Sequence, residues 1–219
     1  MLRALFEKTG NAVYISHLDL MRLFQRAFKR AGLRLTHTQG YNPRPSVSIA
    51  LPLSVGVESH CELLDFELEG DLVSCEEIMD RLNHALVDGV KVLSMYEKGG
   101  KIKDIALLDC TLLLEYDEGV SDAMIGELEK LFSRPSILVE KKSKNGITEQ
   151  DIIPLIRSIV FAMDDKHTLR VCARICCQNP SLNPAQIVAA IERHLPHCKP
   201  DFARYCRDEI YGNNEEIFR

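Results

Sequence analysis

Leu20, Phe24, Ala27, Phe28 and Ala31 recur at the three- and four-residue spacing that gathers apolar side chains on one face of a helix. Ser16 stands where an N-cap belongs and Asp19 follows three residues later, as in a capping box, while Gly32 is placed to end the helix. Before it, residues 2–6 and 12–15 read as short β-like runs around a Lys8-Thr9-Gly10-Asn11 turn. After it, residues 33–38 are β-like and lead into the turn-rich Gln39-Gly40-Tyr41-Asn42-Pro43-Arg44-Pro45. Val47, Ile49 and Leu51 then alternate as a strand does, and a further strand is predicted at about residues 61–69. Ser74 and Glu77 form a second capping box for a helix over 75–87 with Ile78, Leu82 and Ala85 inward, and residues 90–96 close the series as a strand. The order β-α-β-β-α-β is that of the split βαβ, ferredoxin-like arrangement.

Lys98-Gly99-Gly100-Lys101 punctuates the pattern and marks a linker over residues 98–106. Beyond it the order recurs: a strand at 107–117, a helix at 121–133, a strand at 136–142, β-like sequence at 152–161 and 168–177, a helix with Asn183 as cap and Pro184 at its first position, and a short strand near 202–210. No residue-level repeat accompanies this recurrence. The expected class is α+β, with two tandem ferredoxin-like halves over residues 1–97 and 107–219. Pro154 is expected to demote the run at 152–161 to an edge strand or a short helix.

Charge sharpens the division. The 219-residue chain carries a net charge of −5, but residues 1–57 hold Arg3, Lys8, Arg22, Arg26, Lys29, Arg30, Arg34 and Arg44 against only Glu7 and Asp19, a local surplus of +6, which leaves −11 for the rest. Arg22, Arg26 and Arg30 follow one another at helical spacing with Lys29 beside them, one cationic stripe. A surplus so confined points to a local anionic partner, nucleic acid first, and the negative total argues against indiscriminate polyanion binding.

The eight cysteines form no C-x-x-C pair, and most lie in apolar runs, so they read as small hydrophobes in a reducing cytoplasm. His194, His197, Cys198 and Cys206 match no common zinc spacing, and no metal site is expected. The chain has no run of ~18 apolar residues, and its first residues lack the basic and long apolar regions of a signal peptide, so a cytoplasmic protein without a membrane span is expected.

The most informative stretch runs from Ser16-His17-Leu18-Asp19-Leu20-Met21-Arg22, through Gln25-Arg26-Ala27-Phe28-Lys29-Arg30-Ala31-Gly32-Leu33 and Gln39–Pro45, to Leu51-Pro52-Leu53-Ser54-Val55-Gly56-Val57-Glu58-Ser59 with Glu62 and Asp65. Over about residues 1–100 this resembles the radical-SAM-associated domain of unknown function, found fused behind radical-SAM domains in some proteins and as a separate small protein in others. Where that family's loop reads Asn-Pro-His-Pro and then a basic residue, this chain has Arg44 and Ser46. The resemblance implies an accessory domain that presents RNA or a ribonucleoprotein to a radical-SAM partner. The chain itself lacks the C-x-x-x-C-x-x-C motif that holds an iron–sulfur cluster. Cluster and S-adenosylmethionine are therefore expected on the partner only, with no cofactor held here.

The residues expected at such an interface are Arg22, Arg26, Lys29, Arg30 and Arg34 for phosphates, and Gln39, Tyr41, Asn42 and Arg44 for stacking and hydrogen bonding to bases or phosphate. Tyr41 and Asn42 serve equally well as residues that pack and turn the loop, and Glu58, Glu62 and Asp65 as partners that neutralise Arg44 or the stripe. Two other readings stand beside the adaptor. One is a metal-independent endoribonuclease of the tandem ferredoxin-like type, with His17 or His37 as acid–base groups; its usual glycine-rich loop late in the chain is missing, since the last third holds only Gly212. The other is a protein-interaction scaffold whose acidic second half docks the partner.

Overall fold

The computed structural model describes residues 1–70, 73–97, 99–143 and 146–219. It is an α+β protein that divides into two compact units, Met1–Asp104 together with Phe218–Arg219, and Ile105–Ile217. Lys98 of the expected linker lies outside the described residues, and the first strand of the second unit begins at Ile105, inside the segment read as linker.

The first unit contains β1 (Leu2–Lys8), α1 (His17–Arg30), β2 (Val47–Ile49), β3 (Val57–Phe66), α2 (Cys75–Ala85) and β4 (Val90–Glu97). Its antiparallel sheet has the order β4-β1-β3-β2. Ser16 Oγ accepts from the Asp19 amide at 3.2 Å and Ser74 Oγ from the Glu77 amide at 3.2 Å, so both helices start at the caps the sequence indicates. Gly32, at φ +70°, turns the chain out of α1. Leu20, Phe24, Ala27 and Phe28 of α1 and Ile78 and Leu82 of α2 pack on Ala4, Phe6, Leu64 and Phe66 of the sheet.

Three expectations fail here. Residues 10–14 form a 3-10 turn rather than a strand, because Lys8 is buried and its Nζ donates to the Val13 carbonyl at 3.0 Å, curling the chain back. Residues 33–38 make only isolated bridges, Leu35 with Leu68 and His37 with Pro45. The strand expected at 61–69 begins four residues earlier, at Val57.

The second unit contains β5 (Ile105–Glu115), α3 (Asp122–Phe132), β6 (Leu138–Ser143), β7 (Gly146–Asp151), β8 (Ile156–Asp165), β9 (Thr168–Cys176), α4 (Ala185–His194) and β10 (Phe202–Gly212). Its main sheet, β10-β5-β9-β8, is antiparallel, and β6 and β7 form a separate hairpin. With that hairpin set aside, the strands again follow the order fourth-first-third-second. Pro154 sits in a 3-10 turn, Ile153–Leu155, that precedes β8, and β8 ends the strand path. Asn183 Oδ1 accepts from the Ala185 amide at 3.0 Å while Gln186 Oε1 accepts from the Asn183 amide at 3.0 Å, a reciprocal cap that starts α4 one residue later than expected.

Candidate nucleic-acid interface

The turn-rich segment is a braced hairpin. Its base is tied by Thr36 N to the Glu67 carbonyl at 2.9 Å and Ser46 N to the Thr36 carbonyl at 2.7 Å. Thr38 N then donates to the Arg44 carbonyl at 2.8 Å and Arg44 N to Thr38 Oγ1 at 3.0 Å. Gly40 takes φ +146° at the tip, where a side chain would be strained. Pro43 and Pro45 limit the returning strand to extended backbone. Gln39, Tyr41, Asn42 and Arg44 are all exposed, and Tyr41 is 100% so. An aromatic ring held wholly in water by an ordered loop does no packing, which disposes of the reading of Tyr41 as a residue that packs the loop.

The cations of α1 separate into tied and free. Arg22 Nη1 donates to Asp19 Oδ1 at 2.9 Å, and the Ser16 hydroxyl first, then Arg22 and the field of Arg26, hold the Asp19 carboxyl below its ordinary pKa. Arg30 Nη2 donates to the Ala85 carbonyl at 2.5 Å, joining α1 to the end of α2. Arg26, Lys29, Arg34 and Arg44 are exposed, and their side chains have no hydrogen-bond or ion-pair partner among the described residues. The structure thus presents the predicted residues as a helix stripe and a hairpin tip.

The expected neutralising carboxylates go elsewhere. Asp65 pairs with Arg3, directly opposite in the β1–β3 register, by bonds of 2.6 and 3.0 Å, with both side chains buried. Arg3 Nη1 has no acceptor among the described residues, and its guanidinium lies 5.0 Å from the Phe218 ring centroid. Glu62 is buried, and its charge counters the desolvation that lowers the Lys8 pKa. Glu58 accepts from the Gly10 amide at 3.3 Å. Of the two histidines, His37 has Glu69 at 4.0 Å in an exposed pair, and His17 begins α1. Sequence reading missed Arg3 and Lys8 as core residues, since a cation in a strand looks like a surface residue until its partner is placed.

In the second unit four of the seven arginines sit on acids. Arg174 grips Asp109 with two bonds of 2.7 and 2.9 Å, Tyr211 Oη donates to the same carboxylate at 2.8 Å, and the guanidinium stacks 4.1 Å from the Tyr211 centroid. Partial burial works against ionisation of Asp109, but the Arg174 and Tyr211 bonds outweigh it and hold the carboxyl below its ordinary pKa. Arg170 pairs with Asp164, Arg193 with Glu149 and Arg204 with Glu115.

All eight cysteines are free thiols. Burial pushes Cys110 up to about 12 and Cys177 up to about 11, so both stay protonated and inert. Cys172, read from its apolar run as buried, is exposed because its side chain takes the sheet face away from the core. Of the histidines and cysteines late in the chain, His194 Nε2 lies 3.2 Å from the Leu138 carbonyl and Cys206 is on β10. His197 and Cys198 instead meet Glu127 of α3, with one potential ligand atom from each within 4.8 Å of the others. A carboxylate seventy residues away is invisible to any reading of spacing.

A family profile described as an uncharacterized protein conserved in bacteria (DUF2344) matches residues 1–192. The chain belongs to that family. The DUF2344 match runs through the first unit and on to α4, further than the residues that carry the radical-SAM resemblance, and that association is a finer statement than the family description makes. No curated protein matches the sequence. Among solved structures, the chain is similar to one in a Cbf5-Nop10-Gar1 complex, with a TM-score of 0.52 and 9% identity over 95% of this chain and 48% of that one. It spans about half the length of that chain, and the likeness is one of fold. An unknown protein from Galdieria sulphuraria matches over 93% of this chain and 94% of its own at 10% identity, with a TM-score of 0.27. No helix among the described residues is long and apolar enough to cross a membrane.

Proposed function

We propose that the first unit is an RNA-binding module, and that the protein acts as a non-catalytic adaptor presenting RNA or a ribonucleoprotein to a radical-SAM partner in the cytoplasm. The observation that carries the RNA reading is the coincidence of the fully exposed Tyr41 with exposed Arg26, Lys29, Arg34 and Arg44, whose side chains make no hydrogen bond among the described residues. Tyr41 offers a stacking surface for an unpaired base, Gln39 and Asn42 offer hydrogen bonds to base edges, and the four cations take phosphates. Arg22 and Arg30 contribute field more than contact, since each already has a partner. The strand order fourth-first-third-second, with a helix after the first strand and another after the third, supports reading both units as ferredoxin-like halves. The partner rests on the family resemblance, and the acidic second half is the surface proposed to dock it.

Binding of single-stranded RNA to the full chain, measured across salt concentrations, tests the reading. Four phosphate contacts give a slope of about 3 in log Kd against log salt, and Arg26→Ala/Arg34→Ala/Arg44→Ala lowers it by about 2. Equal affinity of wild type and triple variant, or no salt dependence in either, overturns it. Co-purification with a radical-SAM protein tests the partner separately.

A further inference from the structure

We propose that Glu127, His197 and Cys198 form a binding site for a zinc ion, with solvent as the fourth ligand. The three residues supply a carboxylate oxygen, an imidazole nitrogen and a sulfur from two elements, α3 and the 3-10 turn Pro196–Cys198 that follows α4. Tetrahedral zinc, with bonds of about 2.0–2.3 Å, separates its ligand atoms by roughly 3.3–3.6 Å. The donors here lie within 4.8 Å of one another, and His197 Nε2 is 2.7 Å from Glu127 Oε2. Binding zinc therefore draws the donors together across the 4.8 Å span and parts the His197–Glu127 pair.

The turn that carries two of the donors is anchored from several sides. Cys198 N donates to the Leu195 carbonyl at 2.8 Å, Tyr116 Oη donates to the Cys198 carbonyl at 3.0 Å, and Lys199 pairs with Glu192 at 3.5 Å. These contacts fix the backbone from which the His197 and Cys198 side chains extend. Cys198 is 1% exposed, whereas the His197 and Glu127 side chains are 63% and 44% exposed. The sulfur therefore forms the floor of the site and the other two its rim, which leaves one side open to water. Thiolate and imidazole select zinc or cobalt over magnesium and calcium, which prefer oxygen alone. The competing account is a surface His197–Glu127 pair that happens to lie beside a buried thiol.

Cobalt(II) titrated into the reduced full-length protein decides between them. The expected result is one ion per chain, with thiolate-to-cobalt absorption in the near ultraviolet, tetrahedral bands in the visible, and displacement by zinc. Cys198→Ser abolishes the ultraviolet band, Glu127→Gln and His197→Gln each weaken binding by about tenfold or more, and Cys172→Ser changes nothing. A band that survives Cys198→Ser, or rim variants that bind as wild type, overturns the site. Should Cys198→Ser not fold, the two exposed rim variants decide alone.

Discussion

Both units hold arginines that rest on a carboxylate and arginines that do not, and the first gathers more of the second kind. In the second, Arg170, Arg174, Arg193 and Arg204 each rest on a carboxylate, and the most elaborate of these clusters adds a tyrosine that both hydrogen-bonds and stacks. In the first, Arg3, Arg22 and Arg81 pair with Asp65, Asp19 and Glu77, while Arg34 and Arg44 have no carboxylate partner among the described residues and Arg26 acts on Asp19 only through its field. A paired cation is committed to its own fold, and its field is cancelled at short range. An unpaired one is fully hydrated at no structural cost and free to exchange water for phosphate. Net charge does not distinguish these conditions, and partner geometry does.

The comparison fails if the buried and free arginines respond alike to truncation. Arg3→Ala is expected to destabilise the first unit by about 3–5 kcal/mol in urea unfolding, because the buried Asp65 carboxylate loses its guanidinium partner. Arg3→Met/Asp65→Leu is expected to recover most of that loss. Tyr41→Ala costs about 1–3 kcal/mol in RNA binding with an unchanged melting temperature, since the ring packs against nothing. Arg174→Ala costs about 1 kcal/mol of stability, reduced from a buried pair's value because both side chains are 30% exposed. Asp109 titrates lower in the folded than in the unfolded chain, so this contribution is complete above about pH 4 and fades as pH falls through the folded value. The gap between wild type and Arg174→Ala therefore narrows in acid, which unfolding curves at pH 7 and pH 3 check. Arg44→Ala moves stability by less than about 0.5 kcal/mol but lowers the salt slope of RNA binding by about 0.7.

Much of this architecture is local and was legible as such. The caps Ser16 and Ser74, the apolar face Leu20–Phe24–Ala27–Phe28 and the turn at Gln39–Pro45 are short-range signals, and the structure uses each as read. What escaped depends on contacts across the sheet or between distant segments. Lys8 turned a predicted strand into a 3-10 turn by reaching Val13 from a buried position. The strand Gly146–Asp151 carries almost no apolar alternation, so periodicity could not find it. Asp65 and Arg3 are sixty-two residues apart, and only the register of β1 on β3 shows that an acid thought available for Arg44 is spoken for. The exposure of Arg26, Arg34, Tyr41 and Arg44 was legible because helical spacing and turn residues place them away from the apolar faces.

Phe218 and Arg219 belong to the first unit although more than a hundred residues of the second precede them. The second unit is thus a loop whose two ends are held by the first. Were it to unfold alone, a chain of roughly 110 residues would have to stay closed on itself, an entropic penalty of about 4 kcal/mol. The alternative is release of the tail, which costs the burial of Phe218, a ring packed so closely that a Cβ at Gly100 would lie 2.5 Å from it. Burial of one phenylalanine is worth about 1.5–3 kcal/mol, the smaller of the two penalties. Closure of the chain through Phe218 therefore ties the stability of the second unit to the burial of one ring in the first.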